Sequence, residues 1–170
     1  LCLKPGIYLT VGHVFRNGEK WRCVADLLSS IHKAQSKRGF ILCKENIHLL
    51  PNDLCIFSTR SIPPRKPIYK FLPDKIDKAG RLNHQMLWAE TRTILVGVNT
   101  TSYGPSSYST KDGKSFKGSY MHGYRTEGSP QTGDCGSPLI SSTHFGDFLA
   151  GIHVAGQPRT SNVVFSQLSK

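Results

Sequence analysis

Short apolar runs rich in β-branched and aromatic residues punctuate the chain, each bounded by Gly, Asn, Ser or Pro. In the first part, "IYLTVGHVF", "KWRCVADLL", "RGFILCKENIHLL" and "DLCIFST" have the texture of strands of roughly 4–8 residues. One stretch carries a second pattern. In "ADLLSSIHKAQ", Ala25 to Gln35, residues Leu27, Leu28 and Ile31 share helical spacing, so a short helix is an alternative there.

The texture changes after Ser61. "SIPPRKPIYKFLPDKIDKAGR" mixes Pro63, Pro64, Pro67 and Pro73 with lysines and arginines, and reads as an extended surface connector. Strand patterns resume in "QMLWAETRTILVGVNTT", "KGSYMHGYRT", "SPLISS", "FLAGIHVAG" and "NVVFSQL". Between the first two lies "TTSYGPSSYSTKDGKSFKG", whose Gly, Ser and Tyr content predicts a long, mobile hairpin or loop. Many short strands, little helix and one proline-rich link predict an all-β protein of two small barrels or sandwiches side by side. The N-terminal unit would span residues 1–60, the connector 61–83 and the C-terminal unit 84–170.

Composition narrows the picture. The chain has 170 residues, 38% of them hydrophobic, and no segment approaching a membrane span. Its first residues, "LCLKPGIYLTV", lack the apolar block and small-residue cleavage site of a signal peptide. Without an initiating Met, the chain reads as a processed product or a piece of something longer. Cys2, Cys23, Cys43, Cys55 and Cys135 are odd in number and form no CxC or CxxC pair. That argues against a disulfide framework and a Cys-rich zinc site, and a reducing compartment is the simpler expectation. The formal charge of +11 favours an anionic partner such as nucleic acid.

The chemistry concentrates at "TGDCGSPLI", Thr132 to Ile140. A cysteine nucleophile needs a base, a group that orients the base, and donors where negative charge develops on the substrate oxygen. Gly133 can take backbone angles closed to other residues, so its N–H and that of Cys135 can point into one concavity. The plain alternative is a small buried Cys in a tight turn. Three other segments bear on the choice. "LTVGHVF" puts His13 at the end of an apolar strand, and "LLPNDLCIF" puts Asp53 where a loop meets one. "LAGIHVAG" puts His153 in a strand flanked by Gly151 and Gly156, a sign of close backbone approach.

This order, His, Asp, GDCGSP and then a Gly-flanked His strand, resembles the chymotrypsin-like viral 3C and 3C-like cysteine proteases from about Ile7 to Phe165. "GDCGSP" is similar to the serine-protease "GDSGGP" with Cys in place of Ser, and "GIHVAG" to the strand lining the P1 pocket. The resemblance implies two antiparallel chymotrypsin-like β-barrels with the active site in the cleft between them. It implies Cys135 as nucleophile, His13 as general base and acid, Asp53 as the orienting acid, and Gly133 and Cys135 as oxyanion-hole donors. His153 would be a neutral donor to a P1 glutamine, kept neutral by a hydroxyl of Tyr124 or Tyr120. Val154, Ala155 and Gly156 would pair with the substrate as an added strand. Substrates would be viral polyprotein peptides cut in the host cell cytoplasm, with no metal or organic cofactor and no membrane.

The sequence also departs from that pattern. Pro130 stands where picornaviral 3C enzymes commonly carry a P1-binding threonine, leaving Thr132 or Thr126 as substitutes. Only twelve residues precede His13, so an incomplete first barrel is expected. Glu45 and Asp26 are alternative acids. Gln167 in "VVFSQLSK" is a candidate processing site. Viral 2A proteases share "GDCG", but their zinc needs thiols that are missing after Cys135. A separate class of reading is an RNA-binding module: Arg65, Lys66 and Lys70 crowd the connector beside Tyr69 and Phe71, supplying phosphate attraction and stacking surfaces. A barrel pair that binds without catalysis is the third.

Overall fold

The computed structural model describes residues 1–27, 36–75, 81–89 and 92–170. Six strands form the first half: β1 (Cys2–Lys4), β2 (Ile7–Val11), β3 (Lys20–Leu27), β4 (Ser36–Cys43), β5 (Ile47–Leu50) and β6 (Leu54–Ser58). Six more form the second: β7 (Leu82–Ala89), β8 (Arg92–Ser109), β9 (Ser115–Arg125), β10 (Pro138–Thr143), β11 (Gly146–Gly156) and β12 (Asn162–Gln167). All these strand pairings are antiparallel.

The second half is a closed barrel in the order β10-β11-β12-β9-β8-β7, sealed where Leu139 of β10 faces Gln85 of β7. Its interior packs Val98, Met121, Leu139, Ala150, Val163 and Phe165. The first half is a four-stranded sheet, β1-β2-β6-β5, facing the separate hairpin β3–β4. Among the described residues the sheet and the hairpin do not pair into a closed barrel, and two strands precede His13.

The apolar runs in β2 and β6 are nearly continuous because both faces are buried. With a period of two, Tyr8 and Phe57 point to the hairpin side, where they join Cys2, Leu42 and Ile62. Leu9, Val11, Leu54 and Ile56 point the other way and meet Tyr120, Ile152 and Val154 of the second half. This shared core fixes the two halves against each other and so fixes the cleft between them.

Four expectations change. Ala25 to Leu27 belong to strand β3, and the rest of the helical alternative lies outside the described residues. "RGFILCKENIHLL" is broken into β4 and β5 by a 3-10 turn at Lys44–Asn46. The Gly/Ser/Tyr segment is an ordered ribbon in which β8 and β9 pair from Val98↔Arg125 to Ser109↔Ser115. The described part of the connector, residues 61–75, makes a 3-10 turn at Tyr69–Phe71 and is tied down by Ile68 N–H to Cys2 O (2.9 Å) and by buried Leu72. Gln167 sits in β12 opposite Gly151, inside the barrel wall rather than in an extended cleavable tail.

Candidate active site

His13 is placed by the end of β2. The chain leaves the strand at Gly12, whose N–H donates to Asp53 O (2.7 Å), and turns through the 3-10 segment His13–Phe15. Asp53 comes from the β5–β6 connection. Leu54 N–H bonds back to Pro51 O, and Asn52 and Asp53 both have left-handed φ, 59° and 56°. Two left-handed central residues are what a type I′ hairpin turn demands, and Asn and Asp tolerate that region best among residues with a side chain. Asp53 is thus both turn residue and candidate acid.

The two side chains meet. His13 Nδ1 lies 2.5 Å from Asp53 Oδ2. An ionised carboxylate only accepts, so Nδ1 carries the hydrogen and Nε2 is left for the other neighbour. That neighbour is Cys135, whose side chain bears on the charge of His13. Burial opposes a charge on His13, but hydrogen bonds to Asp53 and Cys135 and their negative charges outweigh it and push its pKa up to about 9. An imidazolium beside the sulfur is the partner a thiolate nucleophile needs.

Cys135 is exposed and sits on a turn shaped by glycine. Gly133 has φ +98° and Gly136 φ +91°. Asp134 N–H donates to Gln131 O (3.2 Å) and Gly136 N–H to His153 O (2.9 Å), which sews the turn to β11. Among the described residues, neither the Gly133 nor the Cys135 N–H donates to a backbone acceptor. The Cys135 thiol also lies 3.6 Å from Val154 O.

His153 is buried in β11, with its ring edge-on to Phe165 (5.6 Å). Its pKa is pushed down to about 4, mainly by burial and further by the charges of Arg125 and His13, against the opposing pull of Asp134. The expected tyrosine partner is not there. Tyr124 is exposed, Tyr120 packs on Tyr108, and the ring instead bonds Gln85 (3.0 Å). Beyond His153, β11 has no β10 partner, because the pairing ends at Pro138↔Ile152. Among the described residues, Val154–Gly156 therefore have no strand partner on that side. Gly156 is pressed against the loop before Cys135, since a Cβ there would lie 2.4 Å from Pro130. Thr132 is exposed in that loop, and Thr126 packs on Gly97.

The remaining candidates stand apart. Glu45 is exposed in the Lys44–Asn46 turn, and Asp26 lies in β3. Lys66 and Lys70 are exposed on the connector, Lys70 over the Phe71 ring, while Arg65 is partly buried and its carbonyl takes the Cys2 thiol.

Sequence reasoning missed three residues. Gln85 and Arg125 are buried polar residues, and their signal was a polar side chain in the inward phase of an apolar strand. Tyr108 was hidden in the Gly/Ser-rich ribbon. Its hydroxyl donates to Asp53 Oδ2, and Phe116 beside it stacks near the His13 ring. Asn52 Oδ1 accepts from Ser119 N–H (3.0 Å), so the ribbon of the second half clamps the turn that carries Asp53. Burial and the bond to Asp53 raise the Tyr108 pKa strongly, so it remains a donor at any working pH. Tyr108→Phe is expected to cost about 1.5–3 kcal/mol in urea denaturation, the scale of one hydrogen bond to a charged group. An unchanged urea midpoint would mean that the ribbon does not support the acid.

The overall architecture has known counterparts. The NS6 protease from murine norovirus 1 superposes with a TM-score of 0.63 at 12% identity, over 99% of this chain and 84% of that one. An inactive mutant of the murine norovirus NS6 protease, with a C-terminal extension including residues P1 prime to P4 prime of NS7, gives 0.61 at 12% identity over 99% and 87%. A chimeric inactive mutant with an exchanged cleavage junction gives 0.63 at 12% identity over 100% and 87%. This chain has the chymotrypsin-like fold of the norovirus NS6 proteases. No protein-family model matches the sequence, and no curated protein does. The likeness is one of fold alone, and the roles of individual residues rest on this chain's own geometry.

Proposed function

We propose that this chain is a viral 3C-like cysteine endopeptidase that cuts a polyprotein in the host cell cytoplasm, after glutamine. The observation that carries the reading is the His13–Asp53 pair of the first half, with Cys135 of the second half bearing on the same imidazole. Cys135 sulfur attacks the scissile carbonyl, and its proton resides on His13, which passes it to the leaving amine as the C–N bond breaks. Water, deprotonated by His13, then displaces sulfur from the acyl carbon and regenerates the thiol. Asp53 holds the Nδ1–H tautomer and offsets the imidazolium charge. The Gly133 and Cys135 N–H groups serve the oxyanion. The lack of a β10 partner along Val154–Gly156 supports substrate binding as an added strand, with His153 below the P1 side chain. The fold shared with proteases carrying cleavage-junction residues supports the same substrate class.

The test is intact mass after exposure to a glutamine-mimicking peptide Michael acceptor. One adduct in the parent chain, lost in Cys135→Ala and much slowed in His153→Ala, is the expected result. Equal labelling of the parent and Cys135→Ala would sink the protease reading. It would favour the RNA-binding reading, which rests on Arg65, Lys66 and Lys70 beside the exposed rings of Tyr69 and Phe71.

A further inference from the structure

A chain of four buried or half-buried polar side chains runs from the nucleophile turn into the floor of the second barrel. Asp134, the residue before Cys135, accepts from Arg125 Nη2 through Oδ2 (2.8 Å). Arg125 Nη1 donates to Ser129 O (3.0 Å), and its Nε donates to Gln85 Oε1 (3.1 Å). Gln85 Nε2 then meets His153 Nδ1 at 3.0 Å. Gln85 is 0% exposed, His153 2% and Arg125 5%.

The direction of every bond follows from what each group is able to do. A guanidinium only donates, so the Gln85 oxygen must face Arg125. The Gln85 amide nitrogen therefore faces His153, and as a donor it requires Nδ1 to be an acceptor. The ring hydrogen is then on Nε2. A second proton on Nδ1 would set N–H against N–H in a buried site. The charged groups bearing on the ring are Arg125 from β9, Asp134 from the nucleophile turn and His13 from the first half.

We propose that Gln85 and Arg125 are the specificity-positioning residues of this enzyme: they lock His153 as a neutral Nε2–H donor, selecting a P1 carboxamide over a carboxylate. Arg125 serves a second purpose through the same guanidinium. Its bonds to Asp134 and Ser129 hold the loop that carries Gly133 and Cys135, and Gln131 N–H binds the same Asp134 oxygen (2.8 Å). Selection at P1 and placement of the nucleophile are thus set by one rigid unit. The inference rests on the protease reading for its substrate, but the histidine's protonation does not.

The experiment pairs two readouts on the full chain. Long-range 15N–1H correlation spectra across a pH titration report the tautomer and pKa of His153, assigned with His153→Gln. Cleavage of peptides differing only in P1 Gln or Glu reports selection. In the parent, His153 should stay the Nε2–H tautomer down to about pH 5, below its ordinary 6.5. Gln85→Glu presents an acceptor to Nδ1, and should raise the His153 pKa by about two units and cut the Gln/Glu preference at least tenfold. Gln85→Met keeps the volume and removes the donor, and should give a tautomer mixture with kcat/KM for P1 Gln reduced more than that for P1 Glu. A parent histidine protonated on Nδ1 at neutral pH would overturn the proposal. So would an unchanged His153 pKa and an unchanged Gln/Glu ratio in both folded variants. The expected tautomer without cleavage of either peptide would retain the lock on His153 and reject the protease reading instead.

Discussion

Asp53→Asn is expected to lower the rate of peptide cleavage by a factor on the order of 10³ or more, the scale seen when a triad acid loses its charge. The carboxylate does two jobs that an amide does badly. It fixes the His13 hydrogen on Nδ1, and its charge holds the imidazolium in place against burial. Once an amide replaces it, burial is the largest influence left on the ring, so the His13 pKa should fall from about 9 toward its ordinary 6.5 or below. A histidine NMR titration of parent and variant reads this directly. A His13 that still titrates near 9 in the variant would remove Asp53 from the acid's role and reopen Glu45 and Asp26.

The two histidines also shape stability, with opposite signs. The His13 pKa is raised on folding, so its contribution is fully present below pH 6.5 and lost as pH rises through about 9. The His153 pKa is depressed, so its contribution is fully present above pH 6.5 and lost as pH falls through about 4. Between those limits His13 is charged and His153 neutral. That is the pairing a thiol nucleophile and a carboxamide pocket require together.

How much of this was legible in the sequence depends on how local each signal is. Strands such as β2 and β6 were readable because their apolar runs are dense and bounded by turn residues. Cys135, His13, Asp53 and His153 stood out because each sits in a short motif and the motifs fall in a fixed order, and the structure puts His13 and Asp53 in contact. The outer part of the ribbon β8–β9 was read only as a mobile hairpin or loop, since Gly104, Pro105 and the serines lower strand propensity. It is held instead by cross-strand pairing and by contacts of Tyr108, Phe116 and Ser119 with the other half. Gln85 was passed over as one polar residue in an apolar strand. Its partners, Arg125 and His153, are 40 and 68 residues away, and no local pattern reports that distance.

Arg125→Met should have the largest effect on stability. The methionine fills similar space, so the loss is electrostatic rather than a cavity. Asp134 would keep a carboxylate with only the Gln131 N–H as partner, and Ser129 O and Gln85 Oε1 would each lose a donor. Removing one member of a buried ion pair costs about 3–5 kcal/mol, because the remaining charge stays desolvated. For a chain of this length that corresponds to a Tm lower by roughly 6–20 °C. Neutralising the stranded partner tests the cause: the double variant Arg125→Met, Asp134→Asn should recover part of the loss, as coupled neighbours do. Cys135 alkylation should slow in both variants, because the loop carrying it has lost its anchor to β9. A double variant no more stable than Arg125→Met would mean that Asp134 is solvated in the protein and that the ion pair does not hold the turn.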